Sequence, residues 1–154
     1  MNADELYAVL MSVHDDTLLL PNAAVAEVLA RDALQVSDGG PEWLAGHCDW
    51  NSRRVPGVRF ELLNGGGLGG DPRRERIVVL HSLGRHVPGG HIALVALGYP
   101  HLVTLNRAAM RPMALDGTDR EELVLSRVRV ASQVALIPDL DALEAQIAGA
   151  LATA

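Results

Sequence analysis

Residues 76–98, RIVVLHSLGRHVPGGHIALVALG, decide the fold class. Residues 76–83 and 91–98 are short apolar runs rich in valine, isoleucine and leucine. Between them Val87-Pro88-Gly89-Gly90 punctuates the chain as a turn, so the stretch predicts two β-strands joined in a hairpin. From His86 to Asn106 the chain carries no formal charge if histidine is neutral. Pro88-Gly89-Gly90 and Gly98-Tyr99-Pro100 interrupt that region. Residues 92–97 are its only compact apolar piece, far short of the ~20 residues that a membrane-spanning helix needs.

On the N-terminal side the same β grammar repeats. Residues 6–13 and 17–20 are apolar around the turn His14-Asp15-Asp16, which predicts a second hairpin. Pro21-Asn22 ends it, and Asn22 is placed to cap an alanine-rich helix over 23–31, with Val25, Val28 and Leu29 on one face. Residues 43–50 and 54–63 read as strands; in the second, Val58, Phe60 and Leu62 alternate with Arg59 and Glu61. Residues 64–72, NGGGLGGDP, form a glycine-rich loop and the best internal boundary. Downstream, 101–105, 123–130 and 133–137 are further strands, and 107–120 looks irregular. Pro138 then stops the last strand. Asp139 or Asp141 can cap a closing helix, and Leu140, Leu143, Ile147 and Leu151 line one face of it. Many short strands with two helices predict small β-barrels.

Composition excludes several function classes. The 154 residues carry 13 basic and 19 acidic side chains for a net charge of −6, and every base is arginine. Without lysine there is no Schiff-base amine and no P-loop lysine. An acidic chain with five aromatic residues does not suit a nucleic-acid groove. One cysteine, Cys48, cannot form an internal disulfide, which fits a reducing compartment. Asp4 and Glu5 stand where a secretory signal would be basic. The expected location is cytoplasmic, with no direct insertion into a membrane.

Three constellations have a chemical reading. Gly65, Gly67 and Gly70 match the letters of a dinucleotide-binding loop, but a β-pattern rather than a helix follows, so no pyrophosphate site is expected. His47-Cys48-Asp49 offers three ligand types in a row, yet neighbours on a strand point to opposite faces and cannot chelate together. The other histidines, His14, His81, His86, His91 and His101, have no recognised metal spacing. No serine sits in a nucleophile elbow. No cofactor and no metal are therefore expected. A small enzyme or metal/ligand-binding protein using the histidines and Cys48 is the alternative reading, and self-association through a barrel edge a third. Trp43 reads as core. Trp50, beside Asn51, Ser52, Arg53 and Arg54, has the residue types of an interface anchor.

The order of these pieces resembles the CheW-like adaptor domain of bacterial chemosensory systems. Leu18-Leu19-Leu20-Pro21 with Val25-Ala26-Glu27-Val28-Leu29 is similar to the family's second strand and its valine-x-glutamate segment. Pro41-Glu42-Trp43-Leu44-Ala45-Gly46 resembles the opening of its central strand. Val55-Pro56 and residues 58–62 fall on its valine-proline strand, and Ile137-Pro138-Asp139-Leu140 on its closing stretch and terminal helix. The Leu-Pro-Asn, Trp-Leu-Ala-Gly and Pro-Asp-Leu wording looks most like members attached to type IV pilus (twitching) systems. Asn51 and Ser52 stand where the family has arginine-glycine, and Arg59 where it has aspartate. Glu27 thus lacks its usual arginine partner, and Arg53 or Arg54 is the expected replacement.

The resemblance implies a mainly β fold of two intertwined five-stranded SH3-like barrels. It implies one domain over 1–154 whose two halves share a core. It also implies a non-catalytic adaptor between the regulatory domain of a CheA-type histidine kinase and a methyl-accepting chemotaxis receptor. Val25, Glu27, Trp50, Asn51, Arg53 and Arg54 are the candidates for the receptor-like groove. Val87 and Pro88, read as an exposed apolar turn, are the candidates for the kinase contact.

Overall fold

The computed structural model describes residues 5–14, 16–36, 39–66, 71–82, 86–87, 90–106, 110–115, 120, 122–130 and 133–152. The first hairpin forms as expected, with β1 (Glu5–Val13) antiparallel to β2 (Asp16–Pro21). Next come β3 (Val25–Ala30), β4 (Leu34–Val36), β5 (Leu44–Trp50), β6 (Arg53–Val58) and the short helix α1 (Phe60–Leu63). The hairpin at 76–98 is β7 (Glu75–His81) antiparallel to β8 (His91–Leu97). The chain closes with β9 (His101–Asn106), β10 (Met110–Met113), β11 (Val124–Val130), β12 (Gln133–Pro138) and α2 (Leu140–Ala152).

Among the described residues, twelve strands make two curled six-stranded sheets. Sheet A runs β10-β11-β12-β2-β1-β9 and sheet B runs β3-β7-β8-β6-β5-β4. The two chain ends therefore build one half-barrel and the middle builds the other. A parallel contact sits inside each sheet, β12 on β2 and β6 on β8.

Alternation within strands divides the apolar residues between three cores. Val9, Met11, Leu18, Leu20, Val78, Leu80, Ile92 and Leu94 pack in a core shared by both sheets. The residues between them turn the other way: Ile77, Val79, Ala93 and Val95 fill sheet B's own core, and Ala8 and Leu19 fill sheet A's. Successive strand side chains point to opposite faces. Strands buried on both faces read as unbroken apolar runs, which is why 77–80 is IVVL and 92–97 is IALVAL.

Three elements depart from the sequence reading. Residues 23–31 are not a helix: a 3-10 turn, Asn22–Ala24, leads into β3, which pairs along β7. A β-bulge lies between Val25 and Glu27. It puts Val25 and Val28 on the shared core and Ala26 and Leu29 on sheet B's core. One extra residue thus turns a period of two into helix-like spacings of three. The strand predicted over 54–63 stops at Val58, and after Arg59 the chain turns as α1, sending Phe60 and Leu63 into the shared core. Within 107–120, β10 pairs with β11 rather than being irregular. The closing helix is as expected. Asp139 Oδ1 accepts from the Ala142 N–H at 3.1 Å, so Asp139 is the cap. Leu143 and Ile147 are fully buried, while Leu151 reaches solvent.

Glu61 is a buried acid in α1. Its Oε2 accepts from the His14 N–H at 3.0 Å, pinning the β1–β2 turn to α1. Burial pushes its carboxyl pKa above the ordinary value of 4.5, against the opposing effects of that hydrogen bond and of Arg59. A carboxyl whose pKa is higher folded than unfolded binds protons on folding, so stability falls as pH rises through that interval. Glu61→Gln keeps the acceptor and removes the charge. It should raise the melting temperature at pH 7, and the gain should shrink as pH falls toward 4.5, as followed by thermal melts across that range. Leu80, fully buried in the shared core, offers a second check. Leu80→Ala should cost about 2–5 kcal/mol and leave a single calorimetric transition, because both sheets lean on it.

Candidate functional site

The β5–β6 hairpin carries four of the groove candidates, Trp50, Asn51, Arg53 and Arg54. Trp50 pairs with Arg53 across the strands, and Asn51 and Ser52 form the two-residue turn. Their φ angles are +49° and +62°. Positive φ at both central residues is the I′ turn, whose twist matches the flanking strands. Asparagine tolerates that region and glycine is best suited to it. Ser52 adopts it without either advantage, at the position where the resemblance puts glycine.

Trp50 is half-buried. It leans on sheet B's core and meets the His91 ring edge-on at 4.6 Å between centroids. His91 in turn lies 5.1 Å from His81, its cross-strand partner. Directly paired residues share a face. Trp50, Arg53, His81 and His91 therefore share a face of sheet B, and so does Glu27, which pairs with Val79. Arg54 pairs with Asp49 on the opposite face.

The remaining candidates are not gathered there. Val25 packs on the shared core. Glu27 is exposed on edge strand β3, with β7 and β8 between it and β6. That is about 14 Å along the sheet at the usual strand spacing. The expected pairing of Glu27 with Arg53 or Arg54 is not formed among the described residues. Val87, expected to be exposed, is 4% exposed and packs in the shared core, because that core extends beneath the β7–β8 connection. Its neighbour His86 reaches Asp141 of α2 at 3.2 Å. Pro88 lies outside the described residues, as do 67–70 of the glycine loop.

The catalytic and metal readings gain no geometry. Cys48 is fully buried, and burial first and Asp49 second push its thiol pKa up, away from the reactive thiolate. After the glycine loop comes a three-residue 3-10 turn, Pro72–Arg74, and then β7. Among the described residues no α-helix follows the loop to face a pyrophosphate. Among the described residues no three His, Cys, Asp or Glu side chains are placed to hold one metal ion.

A charged cavity that the sequence reading missed lies at the end of sheet B's half-barrel. Its volume is about 540 Å³. At its centre the Glu75 carboxylate, 9% exposed, receives Arg31 Nε at 3.3 Å and Arg59 Nη1 in a tighter contact. Arg59, standing where the resemblance puts aspartate, is thus a partner for Glu75 and not a loss. The sequence signal was Glu75-Arg76 opening an apolar strand. Only the fold shows that Arg31 and Arg59, from two other elements, converge on it.

A family model described as the CheW-like domain matches residues 8–147. No curated protein matches the chain. Among solved structures the chain is similar to the crystal structure of the scaffolding protein TtCheW from Thermoanaerobacter tengcongensis. The two share 17% identity over 88% of this chain and 89% of that one, with a TM-score of 0.71. That is a likeness of fold.

The strained turn gives a direct check. Ser52→Gly should stabilise the protein by roughly 1 kcal/mol, the lower end of the left-handed penalty on a residue with a Cβ. Urea unfolding with an unchanged slope measures it.

Proposed function

Because this chain belongs to the CheW-like domain family, we propose that it is a non-catalytic chemosensory adaptor. It couples the regulatory domain of a CheA-type histidine kinase to a methyl-accepting receptor, and it works in the cytoplasm in a type IV pilus (twitching) system. The observation that carries the receptor side is the β5–β6 hairpin. It sets Trp50 and Arg53 side by side at a tight turn, on the same face of sheet B as Glu27. An adaptor of this kind works by geometry. Side chains on packed strands keep their positions, so a change in one partner's preferred pose is felt by the other as a coupling free energy.

The twitching assignment rests on the Leu20-Pro21-Asn22, Trp43-Leu44-Ala45-Gly46 and Pro138-Asp139-Leu140 wording and on the family. No helix among the described residues is long and apolar enough to cross a membrane, so receptor attachment through protein contacts is the mode that this reading uses. Val87 is withdrawn as a kinase contact by its burial.

Co-sedimentation of the purified protein with a receptor signalling fragment and a kinase regulatory domain tests the proposal. A ternary assembly is expected. Arg53→Glu should weaken receptor association about tenfold with little change in melting temperature, since Arg53 is exposed. Trp50→Ala should weaken association and also lower the melting temperature, because the ring is half core. Failure of either partner to associate, or full association by Arg53→Glu, would overturn this assignment of roles.

A further inference from the structure

The cavity around Glu75 is the open mouth of sheet B's half-barrel. β3 and β4 sit at opposite ends of the strand order and pair with different strands, β7 and β5, yet only the turn Arg31–Ala33 joins them. The sheet therefore does not close there. Leu34, Ile77 and Val95 give the opening an apolar floor. Arg31, Arg59 and Arg76 form a cationic collar above it. On the lip stand Val36, 78% exposed, and Tyr99, 62% exposed.

We propose that this mouth is a docking socket for a partner segment that presents a carboxylate beside an apolar side chain. Charge complementarity selects that occupant. The chain as a whole carries −6. This end nevertheless gathers Arg31, Arg59, Arg73, Arg74 and Arg76 against Asp32, Glu42, Asp71 and Glu75. The 3-10 turn holding Arg73 and Arg74 is tied to the strand beside Tyr99, with Gly98 N–H donating to the Arg74 carbonyl at 2.7 Å. Glu75 demonstrates the chemistry from within, since the collar already clasps one carboxylate at hydrogen-bonding distance.

The groups left at the mouth suit a second one. The side chain of Arg31 is 58% exposed even while its Nε serves Glu75. Arg76 donates to the Glu75 carbonyl at 2.8 Å and lies 5.2 Å over the Tyr99 ring. That holds a guanidinium at the rim, and a guanidinium over a ring can still bind an acid through its remaining N–H groups. Tyrosine and arginine are among the residue types that dominate binding energy at interfaces. The volume, about 540 Å³, falls within the usual span of binding pockets, ~300–1,000 Å³. An apolar side chain of the partner would reach the floor while its acid meets Arg31 and Arg76. The socket stands apart from the hairpin at Trp50 and does not depend on which proteins the adaptor joins.

The test uses a fluorescein-labelled, end-capped peptide of alternating glutamate and leucine, and the same peptide with glutamine for glutamate. Fluorescence polarisation with the whole protein should show saturable binding of the glutamate peptide, at least tenfold weaker binding of the glutamine peptide, and loss of affinity as salt rises. Arg31→Ala and Tyr99→Ala should each weaken the glutamate peptide about tenfold; Tyr99→Ala, at an exposed rim position, should melt as the wild type does, while Arg31→Ala also removes one partner of Glu75 and should melt lower. Arg76→Ala adds the stacked cation. Absence of saturable binding to the wild type would overturn the socket. Equal affinity for the two peptides, or unchanged affinity in Arg31→Ala and Tyr99→Ala, would do the same.

Discussion

The structure depends on strands that are buried on both faces. In β7 the side chains of Val78 and Leu80 enter the shared core while those of Ile77 and Val79 enter the core of their own half-barrel. β8 does the same with Ile92 and Leu94 against Ala93 and Val95. β1 and β2 repeat it in sheet A. A one-residue slip in any of these strands would exchange the two cores and put large side chains where alanines belong. Register is therefore set by volume as much as by polarity, and neither half can shift without disturbing the other. A scaffold with that property keeps surface residues at fixed relative positions, as the proposed coupling of two partners requires.

The same double burial decided how far the sequence could be read. Hairpins β1–β2 and β7–β8 were plain, because apolar runs between turns have one interpretation. The segment 23–31 was not: its alanines and the Val25/Val28 spacing describe a helix by every local rule. A bulge at Ala26 gives the same spacing in a strand, and pairing with β7 outweighs the modest preference of alanine for helix. At 58–63 the alternation of Phe60 and Leu62 suited a strand. The shared core instead takes Phe60 and Leu63, one helical turn apart. Val87 looked like a turn residue on the surface because nothing local says that a core contributed by distant segments passes beneath it.

The candidate site was legible in part. Trp50, Asn51, Ser52 and Arg53 are contiguous, so a hairpin brings them together without help from the fold. Glu27 joins their face only through the ladder β3-β7-β8-β6. The ion cluster at Glu75 was invisible, because Arg31, Arg59 and Glu75 come from three separate elements and their spacing follows no motif. Arg59 looked like the loss of a family aspartate. In the fold it supplies the charge that lets Glu75 be nearly buried, and an unpartnered acid there would be costly.

The nesting of the two sheets also bears on how the chain acquires its shape. Sheet B is made from an uninterrupted middle portion, β3 to β8, and holds its pairings within that span. Sheet A needs β1 and β2 to meet β9 to β12, and β2 takes a parallel neighbour, β12, from near the other end. During synthesis the β1–β2 hairpin leaves the ribosome with Ala8, Leu10 and Leu19 uncovered, and these wait for Leu105 of β9, Val128 of β11 and Ala135 of β12. Contacts so distant along the chain slow folding and prolong the lifetime of sticky intermediates. The interval between the synthesis of β1–β2 and that of β11–β12 is thus the one in which this face of the hairpin stays open to wrong partners.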